Sequence, residues 1–437
     1  MEHLKTAEAN RAFSLAARSD PRFALAYYGL AISAPSSALG RGAVFKAAEL
    51  AHAGKTTEGE RYMIEAIENG AQADAGAALR HLKELVKDFP DDERAHTLLG
   101  SLYLSLGNWA SATAEYKKAI AINPDLPPPY TQLSLALRMQ EKYDEAEPPA
   151  KKYIELIPNN TAPLCSYGEL LMRQGRFADS IAQYEKALKL DGKLAEAYVG
   201  IASDQVFLGK FNDARTTLTT FETEAATVGD RRQAHFWKAV SYLHEGNTKS
   251  ALGEVQQMYD IAKRGAKPLE MAGDLNLMGV ILLDSGEPDA ALAKYAEGMA
   301  VVGGADVPEA VRDAVHRNNL CDVARVKLAK GDLAGAEAGA KLFRDAVAVQ
   351  KLPPELCRSH ELDGLIAMAK GDARTAVKEL EQANLFDPRA LYSLGEAYAA
   401  AGNAEGAKRA FTHVANFNTP ELGYAFVRAK AQAKLKE

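Results

Sequence analysis

Residues Glu93–Leu126 read ERAHTLLGSLYLSLGNWASATAEYKKAIAINPDL and contain two runs with helical periodicity. Apolar residues in each run recur three and four positions apart, as they do along one face of a helix. They are Leu98, Leu99, Leu102, Tyr103 and Leu106 in the first run, and Ala112, Tyr116, Ala119, Ile120 and Ile122 in the second. Gly107 breaks the pattern as a left-handed helix end would, and Pro124 ends the second run. The stretch therefore predicts two helices joined by a short turn.

The spacing of seven residues in this stretch recurs about every 34 residues along nearly the whole chain. These residues are Leu99, Gly100, Tyr103, Ala112, Tyr116, Ala119 and Pro124. At these positions the chain resembles the tetratricopeptide repeat (TPR) family, in particular bacterial-type proteins with many repeats. The resemblance implies stacked helix pairs, because one pair cannot bury its apolar face alone.

We therefore expect an all-α, right-handed TPR superhelical solenoid of about eleven helix-turn-helix pairs with half-units at both ends. Four segments follow from the register of the repeats. Residues 1–21 form an N-terminal half-repeat helix, 22–228 a regular array, 229–417 an array with longer, irregular units, and 418–437 a C-terminal capping helix. In the third segment, extra residues fall between units, so longer helices or short loops are expected there.

Composition narrows the possible functions. A chain of 437 residues is large for one globular core, and no compositional break divides it, which favours a solenoid. The net charge of -6 argues against general nucleic-acid binding, which needs a basic surface. No apolar run reaches the roughly 18 residues of a membrane span. Cys165, Cys321 and Cys357 form no CxxC pair, so neither a disulfide framework nor a zinc site is expected.

The N-terminus begins with half of a repeat. Ala9, Phe13, Ala16 and Pro21 have the spacing of a second helix, so residues 5–20 look like a second helix without its first. Either the chain lacks part of its native N-terminus, such as a signal peptide and one helix, or this helix caps the array. Its bare apolar face also suggests a homo-oligomer. The compartment stays open between cytoplasmic and, if a signal is missing, periplasmic or exported.

The family resemblance implies that the first helix of each pair lines a concave face. By register alone, the candidate partner-binding residues are Thr97, Ser101, Thr131, Leu135, Arg138, Glu169, Met172, Arg173, Ser203, Val206, Phe236, His244 and Asn276. This mixture of apolar and charged side chains suits an extended peptide or an amphipathic helix. Arg138 and Arg173 either pair with an acidic group of the ligand or are solvated surface residues. The Lys/Asn clamp with which one TPR subfamily holds C-terminal carboxylates is absent.

No pattern for catalysis, cofactor binding or metal binding stands out. The carboxylate cluster Asp91–Glu93 lies at a helix start, where it complements the helix dipole. Cys165 and Cys321 fall at positions where small residues pack, which favours buried, inert thiols. We therefore predict a non-catalytic scaffold that binds a protein or peptide, without a cofactor. The alternatives are a peptide-responsive regulator or a self-assembling scaffold, and an enzyme is the least favoured hypothesis.

Overall fold

A computed structural model describes residues 3–350 and 352–437, and within them it contains 24 helices and no strand. Counted from α2, the helices form eleven successive pairs, with α1 and α24 single at the two ends. This confirms the all-α repeat architecture with half-units at both ends. The helices are α1 (His3–Ser19), α2 (Ala24–Ile32), α3 (Ser37–His52), α4 (Glu58–Ala71), α5 (Ala75–Asp88), α6 (Glu93–Ser105), α7 (Trp109–Ile122), α8 (Pro127–Arg138), α9 (Tyr143–Leu156), α10 (Thr161–Arg173), α11 (Phe177–Leu190), α12 (Ala195–Phe207), α13 (Phe211–Glu224), α14 (Val228–His244), α15 (Thr248–Arg264), α16 (Pro268–Asp284), α17 (Pro288–Gly303), α18 (Glu309–Ala329), α19 (Leu333–Gln350), α20 (Pro353–Ala369), α21 (Ala373–Leu380), α22 (Pro388–Ala400), α23 (Ala404–Asn416) and α24 (Leu422–Lys434).

The pair α6–α7 shows why the repeat sequence folds in this way. Gly107 adopts a φ of 71°, which an L side chain disfavours, and turns the chain between the helices. Asn108 then caps α7 by accepting a hydrogen bond from the Ser111 N–H at 3.2 Å. A Cβ on Gly100 would lie 2.8 Å from the ring of Tyr116, which is fully buried. Glycine at this position therefore lets the two helices approach closely.

The extra residues of the C-terminal half are mostly helical. Helices α6 to α13 have 12 to 14 residues, whereas α14 to α20 have 16 to 21. The stretch 306–316, which falls between units by register, supplies the first turns of α18. Of the two predicted alternatives, longer helices account for most of the irregular spacing.

The chain divides into two compact units, Met1–Leu170 and Leu171–Glu437. In the first unit, α1 packs against α2, with the ring of Phe13 lying over Gly29. Residues 5–20 thus pack as the second helix of a repeat would. The domain limits expected at residues 21, 228 and 417 remain predictions.

In the second unit, the C-terminal residues return to earlier helices. Helix α24 packs against α22 and α23 and also against α14. It begins at Leu422 after the N-cap Glu421, and Asn418 and Thr419, which precede the cap, are buried. Among the described residues, no helix combines the length and the apolar character needed to cross a bilayer.

Candidate functional site

Within each unit, the first helices lie on the inner side of the curved array. Helix α6 contacts α8, α12 contacts α14, and α18 contacts α20, although a second helix separates the members of each couple in sequence. Among the described residues, no two successive second helices make contacts of this extent. First helices that touch across an intervening helix indicate that the array curves toward them.

Two predicted residues of the first unit bond along their own helix. The Thr97 hydroxyl donates to the Glu93 carbonyl at 2.6 Å, and the Ser101 hydroxyl donates to the Thr97 carbonyl at 2.9 Å. Ser101 also accepts a hydrogen bond from the Tyr116 hydroxyl at 3.2 Å. Both residues are half-buried, so part of each side chain remains accessible to solvent.

Arg138 and Glu169, both in the predicted set, form an ion pair. Arg138 Nη1 lies 2.6 Å from Glu169 Oε2, and the Arg138 side chain is only 10% exposed. Thr131 and Leu135, on the same helix as Arg138, are half-buried. The arginine is therefore not a solvated surface residue, and Glu169 supplies the acidic partner that the sequence left to a ligand.

In the second unit, four successive first helices end with side chains that form one row. Each of these residues lies two positions before a turn glycine with positive φ. We call this row the end row. It consists of Arg173 at the end of α10, Phe207 of α12, His244 of α14 and Asp284 of α16.

The C-terminal segment, residues 417–434, contacts the end row. The guanidinium carbon of Arg173 lies 4.5 Å from the centroid of the Phe417 ring. The guanidinium carbon of Arg428 lies 4.7 Å from the centroid of the Phe207 ring. These distances are typical of cation–π contacts.

The same segment makes an ion pair at the far end of the row. Lys430 Nζ lies 3.2 Å from Asp284 Oδ1, with both side chains partly exposed. The ring of Phe207 meets that of His244 edge-on at 6.3 Å. The chain's own C-terminal segment thus covers the end row of the second unit.

Burial near the end row shifts two pKa values. The pKa of His244 falls to about 4, because burial penalises the imidazolium and the Arg428 charge repels it. Burial also lowers the pKa of Arg428, whose guanidinium donates to Asn418 Oδ1 at 2.6 Å. The Arg428 guanidinium and the neutral imidazole of His244 therefore lie in the same poorly solvated environment.

The remaining predicted residues of the second unit differ in exposure. Met172 and Ser203 are 1% and 6% exposed, so neither presents a surface in this structure. Val206 is half-buried, and Phe236 packs edge-on against Trp237 with ring centroids 5.1 Å apart. Asn276 donates a hydrogen bond to Asp322 Oδ2 at 2.8 Å.

Asn276 also borders a polar cavity of about 850 Å³ in the second unit. Two ion pairs cross its wall, Arg325 with Glu361 and Arg358 with Asp322, each at 3.0 Å. Other residues that border the cavity include Tyr295, Cys357, Asp284, Asp387, Arg389 and Phe426 of α24. The charged side chains of the wall largely neutralise one another.

Three histidine–glutamate pairs went unnoticed in the sequence. In each, Nδ1 of a first-helix histidine lies within 2.8 Å of a carboxylate on the following helix. The spacing of 19 residues is the same in all three. Searching for this spacing at the repeat register would have found them. The pairs are His96–Glu115, His235–Glu254 and His360–Glu379.

The three cysteines differ in burial. Cys165 and Cys321 are buried, as expected, and Cys357 is half-buried. Burial raises the pKa of Cys321, which keeps it protonated and unreactive. In the described part of the chain, no group of three or more His, Cys, Asp or Glu side chains is placed to hold a metal ion.

Models of one family match four stretches of the chain. Their description is tetratricopeptide repeat, and they match residues 71–137, 163–194, 199–267 and 389–416. Among curated proteins, human protein O-mannosyl-transferase TMTC3 is 24% identical over 227 residues, which are 47% of this chain and 24% of that protein. The chain thus spans about a quarter of the length of this relative.

Solved structures of repeat proteins are also similar. A tetratricopeptide repeat protein from Parabacteroides merdae is 15% identical, with a TM-score of 0.45, over 60% of this chain and 99% of that chain. MamA from Desulfovibrio magneticus is 16% identical, with a TM-score of 0.37, over 39% and 99%. YrrB, described as a TPR protein with an unusual peptide-binding site, is 18% identical, with a TM-score of 0.32, over 41% and 91%.

Proposed function

Because this chain belongs to the tetratricopeptide repeat family, we propose that it is a non-catalytic scaffold that holds a peptide or helix of a partner protein. The binding surface in this proposal is the inner face of the first unit, formed by α6, α8 and the part of α10 up to Leu170. Proteins of this fold act typically in protein–protein interaction.

The Arg138–Glu169 ion pair is the observation that carries this proposal. It fixes two opposite charges on the surface proposed here, and Leu135 and Thr131 lie half-buried on the same helix as Arg138. A peptide laid there contacts the exposed part of Leu135 beside a charged pair, which is the mixture that a groove for an extended or helical ligand needs. The fixed pair orients the ligand, and apolar burial supplies most of the binding energy.

Site-specific photocrosslinking tests this surface. A photoreactive amino acid replaces Leu135 on the proposed inner face, and a matched control carries it at Lys151 on the second helix α9, which is exposed. Both full-length variants are irradiated in a lysate of the source cells, and crosslinked peptides are identified by mass spectrometry. We expect a defined partner segment crosslinked from position 135 only. Equal crosslinking from both positions, or none from position 135, contradicts the proposal.

Self-assembly is a second candidate, supported by apolar residues near the N-terminus. Leu15, Phe23, Leu39 and Phe45 are 63%, 45%, 63% and 53% exposed. A second copy that covers them would remove apolar surface from water. Sedimentation velocity should then show a dimer that dissociates in Leu15→Glu but persists in the exposed control Arg11→Glu. A monomer at all concentrations up to about 100 µM, some hundredfold above a Kd of about 1 µM, contradicts this candidate.

The mannosyl transfer named for the human relative is not part of this proposal. The chain spans about a quarter of that protein's length. The proposed role rests on the helical repeats themselves.

A further inference from the structure

We infer that the end row of the second unit (Arg173, Phe207, His244 and Asp284) is a docking surface for a basic amphipathic helix preceded by an aromatic residue. The chain's own C-terminal segment is the built-in occupant of this surface. An external partner helix therefore has the same chemistry as that segment and competes with it. This inference goes beyond the proposed function, which concerns the first unit, and does not rest on it.

The order of the contacts supports this assignment. Along the end row, an arginine comes first, then an aromatic ring, then a carboxylate. Along the C-terminal segment, Phe417 meets the arginine, Arg428 meets the ring, and Lys430 meets the carboxylate. Three complementary contacts in the same order on both partners specify register as well as attraction.

The apolar face of α24 defines the rest of the ligand. Tyr424, Phe426 and Val427 are buried in one core cluster with Leu275 and Met278 of α16. The opposite side of the helix carries exposed lysines, among them Lys430. A helix with one apolar face and one basic flank is the standard ligand of a helical groove.

The incomplete hydrogen bonding of Arg428 would allow an external ligand to compete with α24. Among the described residues, its one hydrogen bond goes to Asn418, and its Nη1 has no hydrogen-bond partner. Burying a guanidinium without a carboxylate weakens a contact, because lost hydration is not fully replaced. A ligand that places its cation in a better-paired position therefore displaces the built-in helix.

The covalent connection favours α24 over an external helix, although the hydrogen bonding of Arg428 is incomplete. Residues 417–421 are not helical and join α24 directly to α23. Such a short tether holds the helix near its surface at an effective concentration in the millimolar range, roughly. An external helix therefore binds weakly until α24 is released, which makes the segment autoinhibitory.

Charge exchange at the Asp284–Lys430 pair tests this inference in the full-length chain. The probes are two fluorescent peptides of residues 417–437, one native and one carrying Lys430→Glu. The proteins are the wild type, Lys430→Glu, Asp284→Lys and the double variant, with folding checked by circular dichroism. Both side chains are partly exposed, so the substitutions spare the core. Binding is measured by fluorescence anisotropy at low salt.

The inference predicts a reversal of preference. The Lys430→Glu chain binds the native peptide about two- to five-fold more tightly than the wild type does, as expected for loss of an exposed ion pair. It also prefers the native peptide, whereas the Asp284→Lys chain prefers the charge-exchanged one. The double variant, closed again, binds both weakly. The same preference in both single variants, or no binding by either, overturns the inference.

A further variant locates the peptide. Phe207→Ala in the Lys430→Glu chain should weaken binding of the native peptide at least threefold, because the ring that faces Arg428 is lost. Unchanged affinity in this variant would place the peptide elsewhere and would equally overturn the inference. The crosslinking experiment on the first unit is independent of both outcomes.

Discussion

Arg428 of the last helix holds its guanidinium carbon 4.7 Å from the ring centroid of Phe207, the last residue of α12. The two residues are separated in sequence by more than half the chain's length. Their contact joins the last helix of the second unit to one of its earlier helices. The concave face that a TPR resemblance assigns to a partner is here covered by the protein's own C-terminal segment.

Double-mutant analysis measures this contact. We expect Arg428→Met and Phe207→Ala to be coupled by about 0.5 to 2 kcal/mol in urea unfolding, as a desolvated cation–π contact would be. Lys436→Met with Phe207→Ala is the matched control, because Lys436 is exposed, and its coupling should be near zero. Equal coupling in the two cycles contradicts the contact.

His244 should make the second unit sensitive to acid. Its folded-state pKa of about 4 lies below the ordinary histidine value of 6.5, so the unfolded chain binds a proton that the folded chain does not. Stability is therefore lost as pH falls from about 7 to 4, by about 2 kcal/mol after allowance for partial exposure. The variant His244→Gln should lose this part of the pH dependence. Identical urea midpoints against pH in both proteins would argue against a buried neutral imidazole.

Asp204 should have the opposite pH dependence. It is fully buried, and burial raises the pKa of its carboxyl to about 8, with the Ser180 hydroxyl as an opposing influence. The folded chain thus holds a proton that the unfolded chain releases above about pH 4, so stability falls as pH rises toward 8. We expect Asp204→Asn to be more stable than wild type at pH 9, by on the order of 4 kcal/mol, and similar at pH 4. A constant difference between the two proteins would refute this.

Gly100 should tolerate no side chain. The variant Gly100→Ala places a Cβ 2.8 Å from the Tyr116 ring and should cost about 1 to 3 kcal/mol. The control Gly42→Ala lies within α3, where nothing is within 4 Å of the new Cβ, and should gain about 0.5 to 1 kcal/mol. Thermal unfolding of both variants checks the pair, and equal shifts would show that packing does not distinguish the sites.

Local sequence was sufficient to predict the repeats. Turn glycines such as Gly107 and Gly175, and close-packing positions such as Gly100, depend on backbone sterics within one pair, and periodicity reveals them. The same register placed Arg173 and His244 on the inner face. Their positions at the ends of first helices follow from the turn glycines two residues later.

The return of the C-terminal segment could not be read from the sequence. Whether Phe417 reaches Arg173 depends on small rotations accumulated over several stacked pairs, which are set by packing between α14 and α23. The pairing of Arg138 with Glu169 is similar, because register placed both on one face but gave no distance between them.

Hydrogen–deuterium exchange of the full-length chain tests the central claim, that α24 is a releasable occupant of the concave face, most directly. We expect amides of Leu422–Lys434 to exchange through an opening of their own, faster than amides of α14 and α16. We also expect Lys430→Glu to accelerate exchange in α24 while α23 keeps its protection. Exchange of α24 at the same rate as α14, α16 and α23, unchanged in Lys430→Glu, would show instead that the helix is a permanent part of the core.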